Sequence, residues 1–421
     1  MLLNSLYLKN FRGFAERRFE FKPGINLVIG VNGSGKTALL EACACSIGAF
    51  LHGFKETGSR KIKKDDIRLE GNTNGKTTWE RKYPVIITAQ GSVSDYQGIE
   101  WTIERQSSQG TQSNKNATQI INIARGLDNA VRNGGLAILP VLVYYVNGRL
   151  WLNQTNAFKD VSDGEKPSRF DGYRNSLGAS CTAKSLQNWF ITQEWVSFNS
   201  GKESDVLEMV KSAILATIDE ALKVGYDPEL KELSITFNDG RCLPFSYLSD
   251  GQREIIALAG DIAVRMMKLN PHLGKDTLNN TPGIVLIDEV DLYLHPKWQR
   301  DILSKLSKIF PSVQFICTTH SPQIIGEVTP ERIIVLDTGN QPAYSFGLDS
   351  NTIIEEVMNA LPRNKKVYDL INRANVAVAE ERFEEAKQIL SEVEASLGTR
   401  DEEIRRLEAI IRNLEILNSM E

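Results

Sequence analysis

Gly30-Val31-Asn32-Gly33-Ser34-Gly35-Lys36-Thr37 fits the pattern G-x-x-x-x-G-K-[ST], a loop built to hold phosphate. Its flanks agree with that reading. Ile25-Asn26-Leu27-Val28-Ile29 predicts a short apolar strand, and Thr37-Ala38-Leu39-Leu40-Glu41-Ala42 predicts the start of a helix. Three glycines let the backbone turn tightly and aim N–H groups inward at an anion. The helix N-terminus adds positive potential at the same point. Lys36 then serves as a point charge for the terminal phosphates, and the Thr37 hydroxyl is placed for Mg²⁺.

A second block, Gly283-Ile284-Val285-Leu286-Ile287-Asp288-Glu289, is an apolar run that suits a parallel strand buried on both faces. It ends in two carboxylates. Asp288 is the candidate to hold Mg²⁺ through water, and Glu289, one residue on, is the candidate to polarise the water that attacks the γ-phosphate. A third block, Leu248-Ser249-Asp250-Gly251-Gln252-Arg253, precedes an apolar-rich helix that Ser249 is expected to cap. A fourth, Phe315-Ile316-Cys317-Thr318-Thr319-His320-Ser321-Pro322, reads as a buried strand with a polar tip. Between the second and fourth lies Asp291-Leu292-Tyr293-Leu294-His295-Pro296-Lys297-Trp298-Gln299, where His295 is expected to cap the helix that starts at Pro296.

The third block resembles the signature motif of ABC-type ATPases, in which Ser and Gly of one subunit close on the γ-phosphate held by another. Asp250 stands where transporter ATPases usually carry Gly, and this form is similar to the soluble RecF, SMC and OLD-type branch. With Leu8-Lys9-Asn10-Phe11-Arg12-Gly13-Phe14 as the N-terminal strand, the chain resembles the stand-alone bacterial ABC-type ATPases of that branch over nearly its whole length. The resemblance implies an α/β fold: an ABC-type ATPase head with a P-loop core sheet, an additional β region, a helical lobe and a C-terminal helical hairpin. It implies ATP and Mg²⁺ as ligands. Nucleotide contacts are implied for Arg12, Asn32, Gly33, Ser34, Gly35, Lys36, Thr37, Ala38, Ser249, Asp250, Gly251 and Asp291. Metal contacts fall to Thr37 and Asp288, and catalytic roles to Glu289 and to His320 as the switch histidine.

Leu139 to Arg149, with Tyr144-Tyr145 and Arg149, and Phe346-Gly347-Leu348-Asp349-Ser350-Asn351 look like the subgroup that holds PtuA, the ATPase of Septu antiphage systems and of some retrons. That subgroup implies assembly with an HNH nuclease, PtuB, and the ABC-type signature implies assembly with copies of the chain itself through composite ATP sites. Two other functions stay open: a RecF-like DNA-repair ATPase that clamps DNA, and the ATP-binding subunit of a transporter, against which Asp250 and the Leu-His-Pro-Lys-Trp-Gln run argue. No glutamine is placed by motif in the Q-loop; Gln90, at the end of an apolar run, is the candidate.

Composition sets outer bounds. The 421 residues are 41% hydrophobic and 24% charged, as in ordinary soluble domains. No apolar run is long enough to span a bilayer, and Met1 to Lys9 lacks signal-peptide features, so a cytoplasmic chain without a membrane partner is expected. Five scattered cysteines (Cys43, Cys45, Cys181, Cys242, Cys317) show no paired metal-site spacing and predict reduced thiols. From Ala377 to Glu421 there are 12 acidic and 6 basic residues, a net of −6 within the whole chain's −4, which leaves +2 on the remainder. One basic patch stands out: Lys55, Arg60, Lys61, Lys63, Lys64 and Arg68, interrupted by Asp65 and Asp66. It reads either as a solvated surface or as a DNA contact, and DNA could equally be met through the partner.

Four segments follow. Residues 1–150 form the N-terminal part of the ATPase lobe, with the phosphate loop and a region of short strands. Residues 151–230 form the helical lobe, with two helices near 182–225. Residues 231–345 return to the ATPase lobe through a hairpin at Asn238-Asp239-Gly240, and 346–421 form a helical arm. In that arm Asn375 to Leu397 predicts one amphipathic helix, Gly398 breaks it, and Ile404, Leu407, Ile411 and Leu414 mark a second. That second stripe is expected either to pack on the ATPase core or to dock another chain. No sustained heptads occupy the segment between phosphate loop and signature, so long coiled-coil arms are not expected.

Overall fold

The structure, a computed structural model, describes residues 1–55, 57–72, 78–147, 168–179, 183–201, 204–337, 339, 341–397 and 401–418. Its strands are β1 (Leu2–Phe11), β2 (Phe14–Glu20), β3 (Ile25–Ile29), β4 (Leu69–Asn72), β5 (Thr78–Arg81), β6 (Val85–Val93), β7 (Tyr96–Arg105), β8 (Val141–Tyr145), β9 (Leu177–Ala179), β10 (Ala221–Asp227), β11 (Glu232–Phe237), β12 (Cys242–Pro244), β13 (Gly283–Ile287), β14 (Val313–Thr318) and β15 (Ile333–Val335). The longer helices are α1 (Lys36–Leu51), α2 (Thr118–Arg132), α3 (Ala183–Ser200), α4 (Asp205–Leu215), α5 (Asp250–Leu269), α6 (Pro296–Ile309), α7 (Lys365–Ala379), α8 (Phe383–Leu397) and α9 (Glu402–Asn418). Arg149, Cys181 and Gly398 lie outside the described residues.

Residues 1–347 form one unit. Its centre is a sheet of order β15-β3-β14-β13-β8-β9, every pair of which is parallel. Parallel strands need helical crossovers on both faces, so their side chains are buried on both sides. That is why β8 and β13 carry uninterrupted apolar runs that are buried throughout, and why β14 is buried throughout with only Gln314 and Thr318 polar. Each such Val, Leu or Ile stabilises the fold by roughly 1.5–3 kcal/mol. α1 and α5 are buried along most of their length, and Trp101 anchors the second sheet to α1 by donating its indole N–H to Ser46 O at 2.9 Å.

That second sheet is antiparallel, of order β2-β1-β6-β7. It supplies the additional β region, with the β4–β5 ribbon and a third sheet, β10-β11-β12. The turn at Asn238-Asp239-Gly240 joins β11 to β12, with Gly240 N–H donating to Phe237 O at 3.0 Å. The stretch expected to hold only short strands also contains α2, whose apolar face buries Ile120, Ile121 and Ala124. The stretch expected to be helical contributes α3 and α4, and also β9 and β10.

Residues 348–421 form a second unit. It is helical as expected, but the expected single helix from Asn375 to Leu397 is two. The chain reverses at Glu380-Glu381-Arg382, where Glu381 adopts φ 60° and Arg382 N–H bonds Ala377 O at 2.8 Å. Among the described residues the arm after residue 364 thus holds three helices, not a hairpin. The docking-stripe reading fails for Ile404, Leu407 and Ile411. They are 4%, 1% and 2% exposed, buried with Val367, Leu370 and Ala374 of α7 and Ile389, Leu390 and Val393 of α8. Leu414 packs on the same cluster. The stripe is the core of this unit.

Candidate nucleotide-binding site

All six central strands run the same way, so their carboxyl ends share one edge of the sheet. The chain places polar groups after five of them: Gly30 and its loop after β3, Asp288 and Glu289 after β13, Thr319 and His320 after β14, Asp337 after β15, and the Tyr145 carbonyl closing β8. Carboxyl ends of parallel strands are where open α/β sheets bind ligands.

The glycine loop leads directly into α1, whose N-cap is Gly35 at φ 103°. A Cβ at Gly35 would sit 2.8 Å from the Phe14 ring, so only glycine serves there. The same contact sets the tip of the β1–β2 hairpin against the loop. Lys36 spans the loop from inside: its Nζ donates to Gly30 O at 2.7 Å and Val31 O at 3.1 Å. Burial lowers the Lys36 pKa below the ordinary lysine value, opposed by the carboxylates of Asp337, Asp288, Glu289 and Asp291. Ser34 Oγ, buried within the loop, has no hydrogen-bond partner among the described residues. Asn32, Gly33 and Thr37 are exposed, and Ala38 is buried behind them.

Thr37 Oγ1 donates to Asp288 Oδ2 at 2.8 Å. Asp288 is 2% exposed, and its other oxygen, Oδ1, accepts from Thr318 Oγ1 at 2.7 Å. Its amide donates to Tyr145 O at 2.9 Å. A hydroxyl and a carboxylate oxygen side by side are hard donors of the kind Mg²⁺ takes. Among the described residues no three His, Cys, Asp or Glu side chains converge as a metal cage. Glu289 follows at φ 50°, with its amide on Thr318 Oγ1 at 2.7 Å.

The neighbouring Thr319 holds the next acid. Its hydroxyl donates to Asp291 Oδ1 at 2.6 Å and accepts from Ser321 N–H at 2.9 Å. His320, between them, has its pKa lowered by burial and then by the Lys36 ammonium, both of which favour the neutral imidazole. His295 caps α6, accepting from Lys297 N–H at 3.3 Å.

Ser249 is the N-cap of α5, with a capping box formed with Gln252. Asp250 pairs with Arg253. A Cβ on Gly251 would lie 2.5 Å from Tyr293 O, so the signature loop touches the Asp291-Leu292-Tyr293 turn without room for a side chain. Arg12, at the hairpin tip, is engaged by Glu41 and Asp66.

Two expectations are corrected. Gln90 is bound within the antiparallel sheet by Ser5, Arg18 and Glu100. It pairs opposite Ser5, six residues from the hairpin tip, or about 20 Å at strand rise, so it cannot reach the loop. Arg60 is no part of a basic surface: it is turned onto Glu41 at 2.7 Å and over the Tyr144 ring. Lys55, Lys61, Lys63 and Lys64 remain exposed. Two residues of the site were missed, Thr318 and Asp337. Asp337 had a signal, because Ile333-Ile334-Val335-Leu336-Asp337 repeats the strand-then-acid pattern of Asp288.

Comparison with known proteins places this geometry. The AAA domain family matches residues 5–223, more than half of the chain. A second family, described as AAA domain, putative AbiEii toxin, Type IV TA system, matches residues 196–326. A retron Vc95 probable ATPase of Vibrio cholerae is 26% identical, covering 83% of this chain and 76% of its own. Septu protein PtuA of Bacillus thuringiensis is 23% identical over 85% of this chain and 84% of its own. A solved SMC head bound to the C-terminal winged-helix domain of ScpA aligns at 15% identity and TM-score 0.46, over 80% of this chain and 94% of its own. The PtuA and retron ATPase relatives are those that the motifs led one to expect.

Proposed function

The chain belongs to the AAA domain family, and from that membership we propose that it is a Mg²⁺-dependent ATP hydrolase. In this reading it works as a dimer or larger assembly and controls a partner HNH nuclease in antiphage defence. The observation that carries the hydrolase is the 2.8 Å contact of Thr37 Oγ1 with Asp288 Oδ2, beside Lys36 on a glycine loop. A hydroxyl and a carboxylate from residues so far apart in sequence share one point in space, at a helix N-terminus.

ATP phosphates on that loop would accept from the amides of Gly33 to Ala38. Lys36 would exchange its two carbonyl acceptors for phosphate oxygens, a short movement of one side chain. Thr37 and Asp288 would hold Mg²⁺, which supplies charge to the β- and γ-phosphates. Glu289 orients the attacking water and accepts its proton, and the neutral His320 donates a hydrogen bond to the γ-phosphate. Ser249, exposed at the start of α5, and Gly251, buried tight against Tyr293, suit a site completed across two chains, with Asp291 at the crossing.

The defence reading rests on the likeness to Septu protein PtuA and to a retron ATPase, and on the subgroup resemblance in which the ATPase assembles with an HNH nuclease. The test of the hydrolase is calorimetric. Lys36→Ala should lose ATP binding while keeping the fold; ATP binding of wild-type strength by that variant removes the loop from its role. Co-expression with an HNH nuclease from a Septu system, followed by size-exclusion chromatography, tests the partner.

A further inference from the structure

Thr318 ends β14, is fully buried, and comes level with Asp288 because Ile287 of β13 stands opposite Cys317. One hydroxyl therefore meets two functional residues. Thr318 Oγ1 donates to Asp288 Oδ1 at 2.7 Å and accepts from the Glu289 amide at 2.7 Å. Its carbonyl accepts from the Val290 amide at 2.9 Å. The peptide groups on both sides of Glu289 are thus held by a single residue of the neighbouring strand.

We propose that Thr318 is the positioning residue for both carboxylates: it aims Asp288 at Thr37 and holds Glu289 in place. The reasoning is geometric. A carboxylate fixed at Oδ1 cannot swing, so Oδ2 is presented to Thr37 Oγ1 and to any cation there. Glu289 stands at φ 50°, a conformation that L residues avoid. It persists where surrounding bonds over-determine it, and the amides of Glu289 and Val290 are both bound by Thr318. A single donated proton also sets direction: because the hydroxyl proton goes to Asp288, its lone pair is left for the Glu289 amide. Valine has nearly the same shape and neither bond. It would remove the bonds that Thr318 makes to the Glu289 amide and to Asp288 Oδ1. Serine keeps both.

The proposal deepens the ATP hydrolase reading and rests on it. The experiment compares wild type, Thr318→Val and Thr318→Ser, with Thr318→Ala as the second deletion should the valine protein fail to fold. Three quantities are read: ATP affinity with and without Mg²⁺, single-turnover hydrolysis, and melting temperature. The hydroxyl-deleted protein should bind metal-free ATP as wild type does. Its Mg²⁺-dependent gain in affinity and its hydrolysis rate should each fall by about 10- to 100-fold, the usual loss on removing such a support. Serine should restore both.

Hydrolysis and Mg²⁺ response unchanged in the deletion, even with a lowered melting temperature, would make Thr318 a packing residue. So would a serine variant that restores stability alone. A wild-type protein that neither binds nor hydrolyses ATP brings down the hydrolase reading itself, and that arm is scored before the variants.

Discussion

The Val31 amide donates to Asp337 Oδ2 at 2.8 Å, joining the phosphate loop to the end of the next strand. The same oxygen lies 3.0 Å from where a Cβ on Gly30 would be, so the acid closes over the loop's first turn. Among the groups acting on Lys36, the Asp337 carboxylate is the leading one that favours the charged ammonium. One side chain therefore holds the backbone whose carbonyls bind Lys36 and partly offsets its charge.

Those two effects separate by substitution. Asp337→Asn keeps an acceptor for Val31 and removes a negative charge near incoming phosphates, so ATP should bind about threefold more tightly at low salt. The gain should shrink as salt rises. Asp337→Ala loses the bond as well and should bind more weakly than the asparagine protein. Equal weakening in both variants, measured by calorimetry at two ionic strengths, would refute the charge effect.

Leu407 is 1% exposed within the three-helix core, so its loss is predicted to act on that unit. Leu407→Ala should destabilise it by about 2–5 kcal/mol, and Leu407→Asp should unfold it. Hydrogen exchange over residues 365–418 reads the change. Fast exchange there, with ATP binding retained, is expected; unaltered protection in the aspartate variant would contradict the packing described.

His320 should titrate below the ordinary histidine value of about 6.5 in nucleotide-free protein, because burial and then the Lys36 cation disfavour its charged form. A lowered pKa contributes stability above the unfolded value that is lost as pH falls through the folded one. Wild type should therefore lose more stability than His320→Gln as pH drops below about 6.5. NMR titration of the imidazole measures the midpoint directly. A midpoint above the free value would reverse the assignment, whereas a rise on adding ATP is expected from the phosphate charge.

Much of this site was legible because its physics is local. A buried parallel strand must be a continuous apolar run, and Ile25–Ile29, Gly283–Ile287 and Phe315–Thr318 each announce themselves and the polar residue that follows. Long-range partners were not legible. Nothing in Phe315–His320 says that the Thr318 hydroxyl will meet Asp288, since only the pairing of β13 with β14 brings them level. Arg60 looked like surface charge because sequence does not reveal Glu41 beneath it. The reversal at Glu380–Arg382 was hidden because charged residues make it, with no glycine or proline to mark the break.

Hydrolysis is predicted to need two chains. Ser249→Arg blocks the signature and Lys36→Ala empties the loop, so each protein alone should be inactive. Mixed, a heterodimer holds one intact site, formed by the loop of the first and the signature of the second, and turnover should return. Mixtures that stay inactive, with wild-type activity proportional to concentration down to full dilution, would argue for a self-sufficient monomer. Ser249 also caps α5, so a loss of about 1 kcal/mol in the arginine variant is expected and is checked by melting.

The most direct test of the account is Glu289→Gln in a trapping assay, in which protein is mixed with labelled ATP and Mg²⁺, separated from free nucleotide, and the bound label identified. The account predicts ATP retained unhydrolysed at wild-type affinity, with turnover reduced by about 10²- to 10⁴-fold, because Glu289 acts on the water and not on the phosphates. Bound ADP, formed at the wild-type rate, would contradict it.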